Sequence, residues 1–206
     1  MKRFLRSWVE PALGLAMACA PAAGVAQDST DVPPPGFGTL RQDQVAVRIT
    51  TENLAVRTLP LDERIIRLLA SDAYRSLHEL VQSRAADIAA AARAAGHDSA
   101  VIFVVTYFAL QPQVRFNPDQ LYVSSQNTFF RPIGIVPLTA RWSEYQLDQR
   151  QQAIAIYLFE PGVVVTRPFT VFYGDRSSDA WAGTLRVLDG ERTRVRSRAA
   201  TQPPQP

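Results

Sequence analysis

The chain has 206 residues, of which 47% are hydrophobic and 20% are charged. This composition is typical of a globular protein and excludes an intrinsically disordered chain or a polytopic membrane protein. The formal net charge is +3, but Lys2, Arg3 and Arg6 lie at the extreme N-terminus and the remaining charges nearly cancel, so nucleic-acid binding is not expected.

Residues 1–26 have the pattern of an export signal. Their cations precede an apolar stretch at 12–20, and small residues at positions 24 and 26 fit a signal-peptidase site. The apolar stretch is shorter than the roughly 20 residues that span a bilayer. We therefore expect an exported protein, periplasmic or secreted, whose mature chain begins at Gln27.

Cys19 allows a second interpretation of the same segment. The residues before it partly resemble a bacterial lipoprotein box, and a lipid on Cys19 would anchor the protein at the cell envelope. Contact with a membrane is expected only in that case. Because Cys19 is the single cysteine, neither an intramolecular disulfide nor a cysteine-based zinc site is possible.

The rest of the chain divides into a linker, one domain and a tail. Three consecutive prolines within 27–41 predict a stiff, extended linker. Residues 42–198 are expected to form a single β-rich domain. Residues 199–206, which are rich in Gln and Pro, are expected to be a disordered tail.

The domain begins with a predicted hairpin and a helical region. Apolar residues alternate over 45–50 and 54–59, which is typical of two half-buried strands. Apolar residues then recur at helical spacing over 62–95, where Ser71-Asp72 could cap a second helix and Gly96 ends the pattern. The residues expected to face the sheet are Ile65, Leu69, Leu77 and Leu80.

Residues 100–173 hold the predicted core of a sheet, because their runs of β-branched and aromatic residues are separated by Pro, Gly and Asn. The expected strands cover 101–110, 114–116, 120–124, 128–136, 152–159, 163–166 and 169–173. Many short strands with such turns are typical of an antiparallel sandwich or barrel. The segment 177–198 fits a helix or a hairpin around Asp189-Gly190, and its apolar spacing favours the helix.

These elements together predict an α+β protein. The expected architecture is an antiparallel immunoglobulin-like β-sandwich with a long helix, or a helix pair, inserted after the N-terminal hairpin.

The sequence gives little indication of an enzyme. Its two histidines, His78 and His97, belong to no His-Glu-x-x-His pattern, and no nucleophile elbow, phosphate loop or dinucleotide fingerprint is present. We therefore expect a non-enzymatic protein without cofactor or metal. Alternate arginines at 192–198 could face an anionic lipid or polyanion, although a solvated charged element is the favoured interpretation.

One polar stretch, 141–150, is a candidate binding loop between two predicted strands. Trp, Tyr and Arg are enriched at interface hot spots, because they combine a large contact area with a polar end. The candidate binding residues are Arg141, Trp142, Tyr145 and Arg150. In the alternative interpretation Trp142 folds back into the core and Tyr145 covers an edge of the sheet.

The leading functional prediction is an exported protein that binds or scaffolds another component of the cell envelope, such as a protein or surface component. The alternative is a carrier for a small ligand, with a pocket between helix and sheet.

Overall fold

The computed structural model describes residues 32–201 as an α+β protein with antiparallel sheets and a C-terminal helix. The predicted export signal, Cys19, Gln27 and residues 202–206 lie outside the described residues. The helices are α1 (Gln42–Val45), α2 (Glu63–Ile66), α3 (Ser71–Ser83), α4 (Ala85–Ala94) and α5 (Trp181–Thr201). The strands are β1 (Val47–Thr50), β2 (Leu54–Pro60), β3 (Val101–Ala109), β4 (Val114–Arg115), β5 (Leu121–Ser125), β6 (Thr128–Phe130), β7 (Gly134–Pro137), β8 (Gln146–Leu147), β9 (Gln152–Phe159), β10 (Phe169–Tyr173) and β11 (Arg176–Ser178).

The strands of the described part form two main sheets and one small pair. Sheet A has the order β1-β2-β3-β9-β7, sheet B has the order β11-β10-β5-β6, and β4 pairs with β8. Every pairing within these sheets is antiparallel. The predicted N-terminal hairpin is confirmed as β1 and β2.

Aromatic side chains connect sheet A with sheet B. Alternate residues of β3 are buried, as expected for a strand with one face in the core. The Phe103 ring lies edge-on to Phe159 at 5.2 Å and to Phe169 of sheet B at 5.6 Å. Tyr107 contacts Tyr173 of sheet B, with 5.6 Å between ring centroids.

The predicted helical region 62–95 is divided into α2, α3 and α4. It is interrupted after α2 because Leu69 and Ala70 form parallel β-bridges with Leu40 and Gly38. A Cβ atom at Gly38 would lie 2.3 Å from the backbone of Leu68, so only glycine allows this approach. A single long helix is therefore wrong, and the alternative of a helix pair is right only in that the region is interrupted, since the part after the break is divided again at Arg84 into α3 and α4.

The helix boundaries follow the signals in the sequence. Helix α3 begins at Ser71, and Gly96 follows α4 with a φ of +82°, the left-handed conformation that ends many helices. The alanine-rich α4 packs against β7 and β9 on the outer face of sheet A. The approach is close, because a Cβ atom at Gly134 would lie 3.2 Å from the Cβ of Ala91.

Two predicted strands differ from the structure. The strand expected at 128–136 is divided into β6 and β7 on either side of Pro132, which lacks the N–H that a ladder requires. The strand expected at 163–166 is wrong, since this segment forms turns. Val163 and Val165 are buried without pairing, and the carbonyl oxygen of Val165 instead accepts a 2.9 Å hydrogen bond from Trp181 Nε1.

The C-terminal segment forms helix α5 from Trp181 onward, which confirms the favoured helical interpretation of 177–198 except at Ser177 and Ser178, which belong to β11. The helix continues to Thr201, beyond the predicted boundary at 198. Glu191 is completely buried on its inner side. No helix among residues 32–201 combines the length and apolar content needed to cross a bilayer.

The described part of the predicted linker is attached to the domain. Leu40 is buried, and its N–H donates to the carbonyl of Leu68 at 3.1 Å. Thr39 donates through its backbone N–H and its hydroxyl to Glu191 Oε1, at 3.0 and 2.8 Å. Residues 38–40 therefore pack on the folded domain, because their backbone and hydroxyl groups find partners on it.

Candidate functional site

One cleft lies between two chain segments that approach each other beside β10. One segment follows β4 and the other runs from β7 through a short 3-10 helix, Ala140–Glu144. The cleft has a volume of about 900 Å³. We call it the Tyr145 cleft. Its lining residues are Arg115, Phe116, Asn117, Pro118, Asp119, Gln120, Ile135, Pro137, Trp142, Ser143, Tyr145 and Tyr173.

A cluster of aromatic rings forms the floor of the Tyr145 cleft. Tyr107 of β3 stacks on Phe116 with 4.7 Å between centroids. Trp142 contacts both rings, at 5.8 Å from Tyr107 and 5.3 Å from Phe116. These residues are buried, so the floor is a continuation of the hydrophobic core and is fixed before any ligand arrives.

Tyrosine hydroxyl groups hold the first segment in place. The hydroxyl oxygens of Tyr107 and Tyr157 are 2.8 Å apart, and that of Tyr157 donates to the carbonyl of Pro118 at 3.4 Å. Tyr173 accepts a 3.1 Å hydrogen bond from the backbone N–H of Asn117. The segment on this side of the cleft is therefore attached to both sheets.

Burial raises the pKa of the tyrosines beneath the cleft. It is the main cause for Tyr107, Tyr157 and Tyr173, and nearby charges add to it for the first two. These phenols consequently keep their protons at neutral pH. They act as hydrogen-bonding groups and are unsuited to the role of general base.

Tyr145 forms the exposed edge of the cleft in an unusual backbone conformation. Its φ is +51°, in the left-handed region that a bulky non-glycine residue seldom adopts. Its carbonyl accepts a 3.0 Å hydrogen bond from the N–H of Phe116, and its ring meets the Phe116 ring at 5.9 Å. The pairing of Val114 in β4 with Leu147 in β8 stabilises the position of Tyr145 relative to Phe116. The Tyr145 side chain is left 48% exposed.

Charged groups at the rim are available to a ligand. Arg115 and Asp119 are exposed, and neither forms an ion pair with another described residue. Asn117, Gln120 and Ser143 add polar side chains. An aromatic floor with convergent polar groups is the usual composition of a binding site.

No protein-family model, curated protein or solved structure matches the chain. The geometry of the clefts is therefore the basis for assigning a function.

The structure brings two of the candidate binding residues to the cleft. Trp142 is 5% exposed and belongs to the floor, which favours the alternative of a core residue, whereas Tyr145 is at the rim. Arg150 is exposed, does not line this cleft, and donates its backbone N–H to the carbonyl of Ala109 at 2.9 Å. The side chain of Arg141 is outside what the structure describes. Their roles in binding stay predictions.

Several lining residues had no signal in the sequence. Arg115, Asp119 and Tyr173 reach the cleft through the pairing of β4 with β8 and of β10 with β5. These pairings join positions about 30 to 50 residues apart, and no local pattern indicates them. The gap between the strands predicted at 114–116 and 120–124 was the one indication that this segment leaves the sheet.

His78 has an acidic partner that the sequence did not indicate. Its Nδ1 atom lies 2.8 Å from Glu63 Oε1, and Arg67 and Tyr74 also contact this carboxylate. Burial opposes ionisation of Glu63, but the hydrogen bonds from Arg67 and His78 outweigh it and lower its pKa. No metal site follows, since residues 32–201 contain no group of three His, Cys, Asp or Glu residues able to hold an ion.

The basic stretch at 192–198 largely pairs within helix α5. Arg192 binds Asp189 at 2.6 Å, and Arg194 and Arg198 bind the buried Glu191. This arrangement favours the predicted charged, solvated element over a polyanion-binding surface.

Proposed function

We propose that the chain is a non-enzymatic binding protein of the cell envelope, and that the Tyr145 cleft holds a segment of another envelope component. The observation that supports this proposal is that one cleft combines a buried aromatic floor with the unpaired charges of Arg115 and Asp119 at its rim. Preformed floors reduce the entropy lost on binding, and rim charges select the partner.

Binding is better supported than catalysis. Among the described residues that line the cleft there is no His or Cys, and Asp119 is the one carboxylate. General acid–base chemistry usually needs a second titratable group within hydrogen-bond reach. The tyrosines beneath the cleft keep their protons, which leaves them as structural donors.

An envelope partner agrees with the export pattern of residues 1–26. The rim carries Tyr145 with a cation and an anion, so it suits a segment of protein that offers both an apolar side chain and polar groups. We expect the partner segment to place the apolar side chain over Phe116 and Trp142.

A small ligand is the second candidate. A volume of about 900 Å³ is within the range of about 300–1,000 Å³ that is common for small-molecule pockets. This cleft is lined by strands and loops, which differs from the pocket between helix and sheet that the sequence suggested. A small ligand would copurify with the protein and be released on unfolding, whereas a protein partner would be recovered by affinity capture.

We also infer that sheets A and B face each other as a sandwich. The contacts of Phe103 with Phe169 and of Tyr107 with Tyr173 support this arrangement. The immunoglobulin-like version of a sandwich stays a prediction.

Affinity capture from envelope extracts tests the leading proposal. The double variant Tyr145→Ala with Arg115→Ala should lose the partner recovered by the parent while its melting temperature stays close to the parent's. The matched control is Phe129→Ala with Arg75→Ala, which removes another exposed aromatic side chain and another exposed arginine outside the cleft. Recovery of the same partner by the Tyr145 and Arg115 double variant would contradict the proposal.

The envelope location has its own test. N-terminal sequencing of the protein isolated from the envelope should begin at Gln27. A lipid-bearing Cys19 would instead support the anchored form, and an intact Met1 on protein found only in the cytoplasm would contradict export.

A further inference from the structure

Part of the outer face of sheet A is left open beside helix α4. Helix α4 packs against β7 and β9, whereas residues of β1, β2 and β3 on this face line a cleft. A cleft of about 410 Å³ lies there. We call it the two-arginine cleft. Its lining residues are Arg48, Thr50, Ala55, Arg57, Thr106, Phe108, Leu110 and Gln152.

The register of sheet A explains why these side chains meet. Arg48 is directly opposite Arg57, and Arg57 is directly opposite Thr106. Residues two positions further along each strand project from the same face. They form a second row across four neighbouring strands, which consists of Thr50, Ala55, Phe108 and Gln152 in that order. Because the side chain of Ala55 is smaller than those of its neighbours, the surface is lower at this position, and this forms the two-arginine cleft.

The two arginines have no counter-charge within the protein. Neither Arg48 nor Arg57 forms a side-chain hydrogen bond or ion pair with another described residue. Among the described residues that line the cleft none is acidic. Like charges directly opposite on neighbouring strands destabilise a sheet. The pair therefore costs stability in the unbound protein, and an anion placed between the two guanidinium groups would remove that cost.

We propose that the two-arginine cleft binds the phosphate group of a phosphomonoester. A phosphomonoester carries a charge of about −1.5 to −2 at neutral pH, which matches two arginines. Guanidinium groups recognise phosphate oxygens through paired, charge-assisted hydrogen bonds. Thr50 and Gln152 are exposed beside the pair and supply further donors. Phe108, which is 36% exposed, offers a surface for a flat or apolar group carried by the phosphate.

This site is separate from the one proposed to bind an envelope partner. The two clefts share no lining residue. Either proposal can therefore fail without the other.

Titration with inorganic phosphate and phenyl phosphate tests the site. At constant ionic strength, both probes should raise the melting temperature of the parent more than chloride does, and calorimetry should give a dissociation constant for each. The double variant Arg48→Gln with Arg57→Gln should bind at least about tenfold more weakly, because it loses charge-assisted hydrogen bonds. It should be at least as stable as the parent without ligand, because the repulsion is gone.

A matched control distinguishes loss of the binding site from a change in the net charge of the protein. Arg75→Gln with Arg93→Gln makes the same change in charge at two exposed arginines of α3 and α4, and it should bind like the parent. Phe108→Ala should weaken binding of phenyl phosphate and leave that of inorganic phosphate unchanged. Equal binding by the Arg48 and Arg57 variant and the parent, or no response of the parent to either probe, would overturn the proposal.

Vesicles distinguish the source of the phosphate. Cosedimentation of the parent with phosphatidic acid vesicles, lost in the Arg48 and Arg57 variant and absent with phosphatidylcholine, would show that the group is carried by a lipid. Binding of the soluble probes without cosedimentation would assign a soluble phosphomonoester.

Discussion

Substitution of Glu191 by Gln removes a buried charge and leaves the volume of the side chain unchanged. The carboxylate is completely buried on α5. Its Oε1 atom accepts from the N–H and the hydroxyl of Thr39 and from Arg198, and its Oε2 atom lies 3.4 Å from Arg194. The substitution therefore acts on the contact between the N-terminal segment and the C-terminal helix.

The expected loss of stability follows from these hydrogen bonds. A bond to a charged acceptor contributes about 1.5–3 kcal/mol, compared with about 0.5–1.5 kcal/mol for a neutral one. Three donors converge on Oε1, so a neutral acceptor should cost about 3 kcal/mol in total. The side chain of Arg198 is 37% exposed and can be hydrated when its partner is neutral. The loss should accordingly be at the lower end of the range of about 3–5 kcal/mol for a broken buried pair.

The effect should depend on pH in one direction. Burial opposes ionisation of Glu191, but hydrogen bonds from Thr39 and Arg198 outweigh it, so its pKa in the folded protein is lowered from the ordinary value of 4.5. A lowered folded pKa gives stability that is fully present above the ordinary value and is lost as the pH falls through the folded one. The difference between parent and Glu191→Gln should therefore be large at pH 7 and smaller at pH 3.

Urea denaturation at several pH values measures this difference. Glu79→Gln is the matched control, because Glu79 is exposed and forms no ion pair with another described residue. It should change the free energy of unfolding by less than about 0.5 kcal/mol. A Glu191→Gln protein as stable as the parent at pH 7, or a difference that is equal at pH 7 and pH 3, would refute the reasoning.

Three further substitutions test the core. Leu77→Ala on α3 should lower the free energy of unfolding by about 2–4 kcal/mol, because Leu77 is buried; an unchanged denaturation midpoint would contradict its position. Thr58→Val should raise it by about 1 kcal/mol, since the buried Thr58 hydroxyl has no hydrogen-bond partner within residues 32–201; a less stable variant in calorimetry would indicate a partner. Trp142→Ala should lower the free energy of unfolding by about 3 kcal/mol or more, because the ring packs on Tyr107 and Phe116. A melting temperature equal to the parent's would show that Trp142 is a surface residue.

The sequence predicted most elements because the patterns that define them are local. Alternation gave the β1–β2 hairpin, helical spacing gave α3 and α5, and Gly96 marked the end of α4. The segment at 163–166 was predicted wrongly, since Val163 and Val165 are buried without forming a strand. An apolar run indicates burial, but it does not determine whether the backbone pairs.

Neither cleft could be derived from such local patterns. The cross-strand pair of Arg48 and Arg57 depends on the register of a hairpin, and the Tyr145 cleft depends on contacts of Tyr107 in β3 with Phe116, which follows β4, and with Tyr173 in β10. The candidate residues predicted from their type alone included Trp142, which is of a type common at interface hot spots but is buried like a core residue. Residue type indicates which interactions a side chain can form, but the strand pairing determines whether that side chain lies in the core or at a cleft.

The bond between Thr39 and Glu191 joins positions that are 152 residues apart. The entropy cost of closing such a long loop rises only slowly with its length, but the bond can form only when nearly the whole domain is in place. Until then Glu191 has only Arg194 and Arg198 of its own helix and water as partners, so α5 cannot satisfy the two Thr39 hydrogen bonds alone. The two ends of the domain should therefore open and close together, and the amides of residues 39–40 and of the central turns of α5 should exchange with solvent at one common rate.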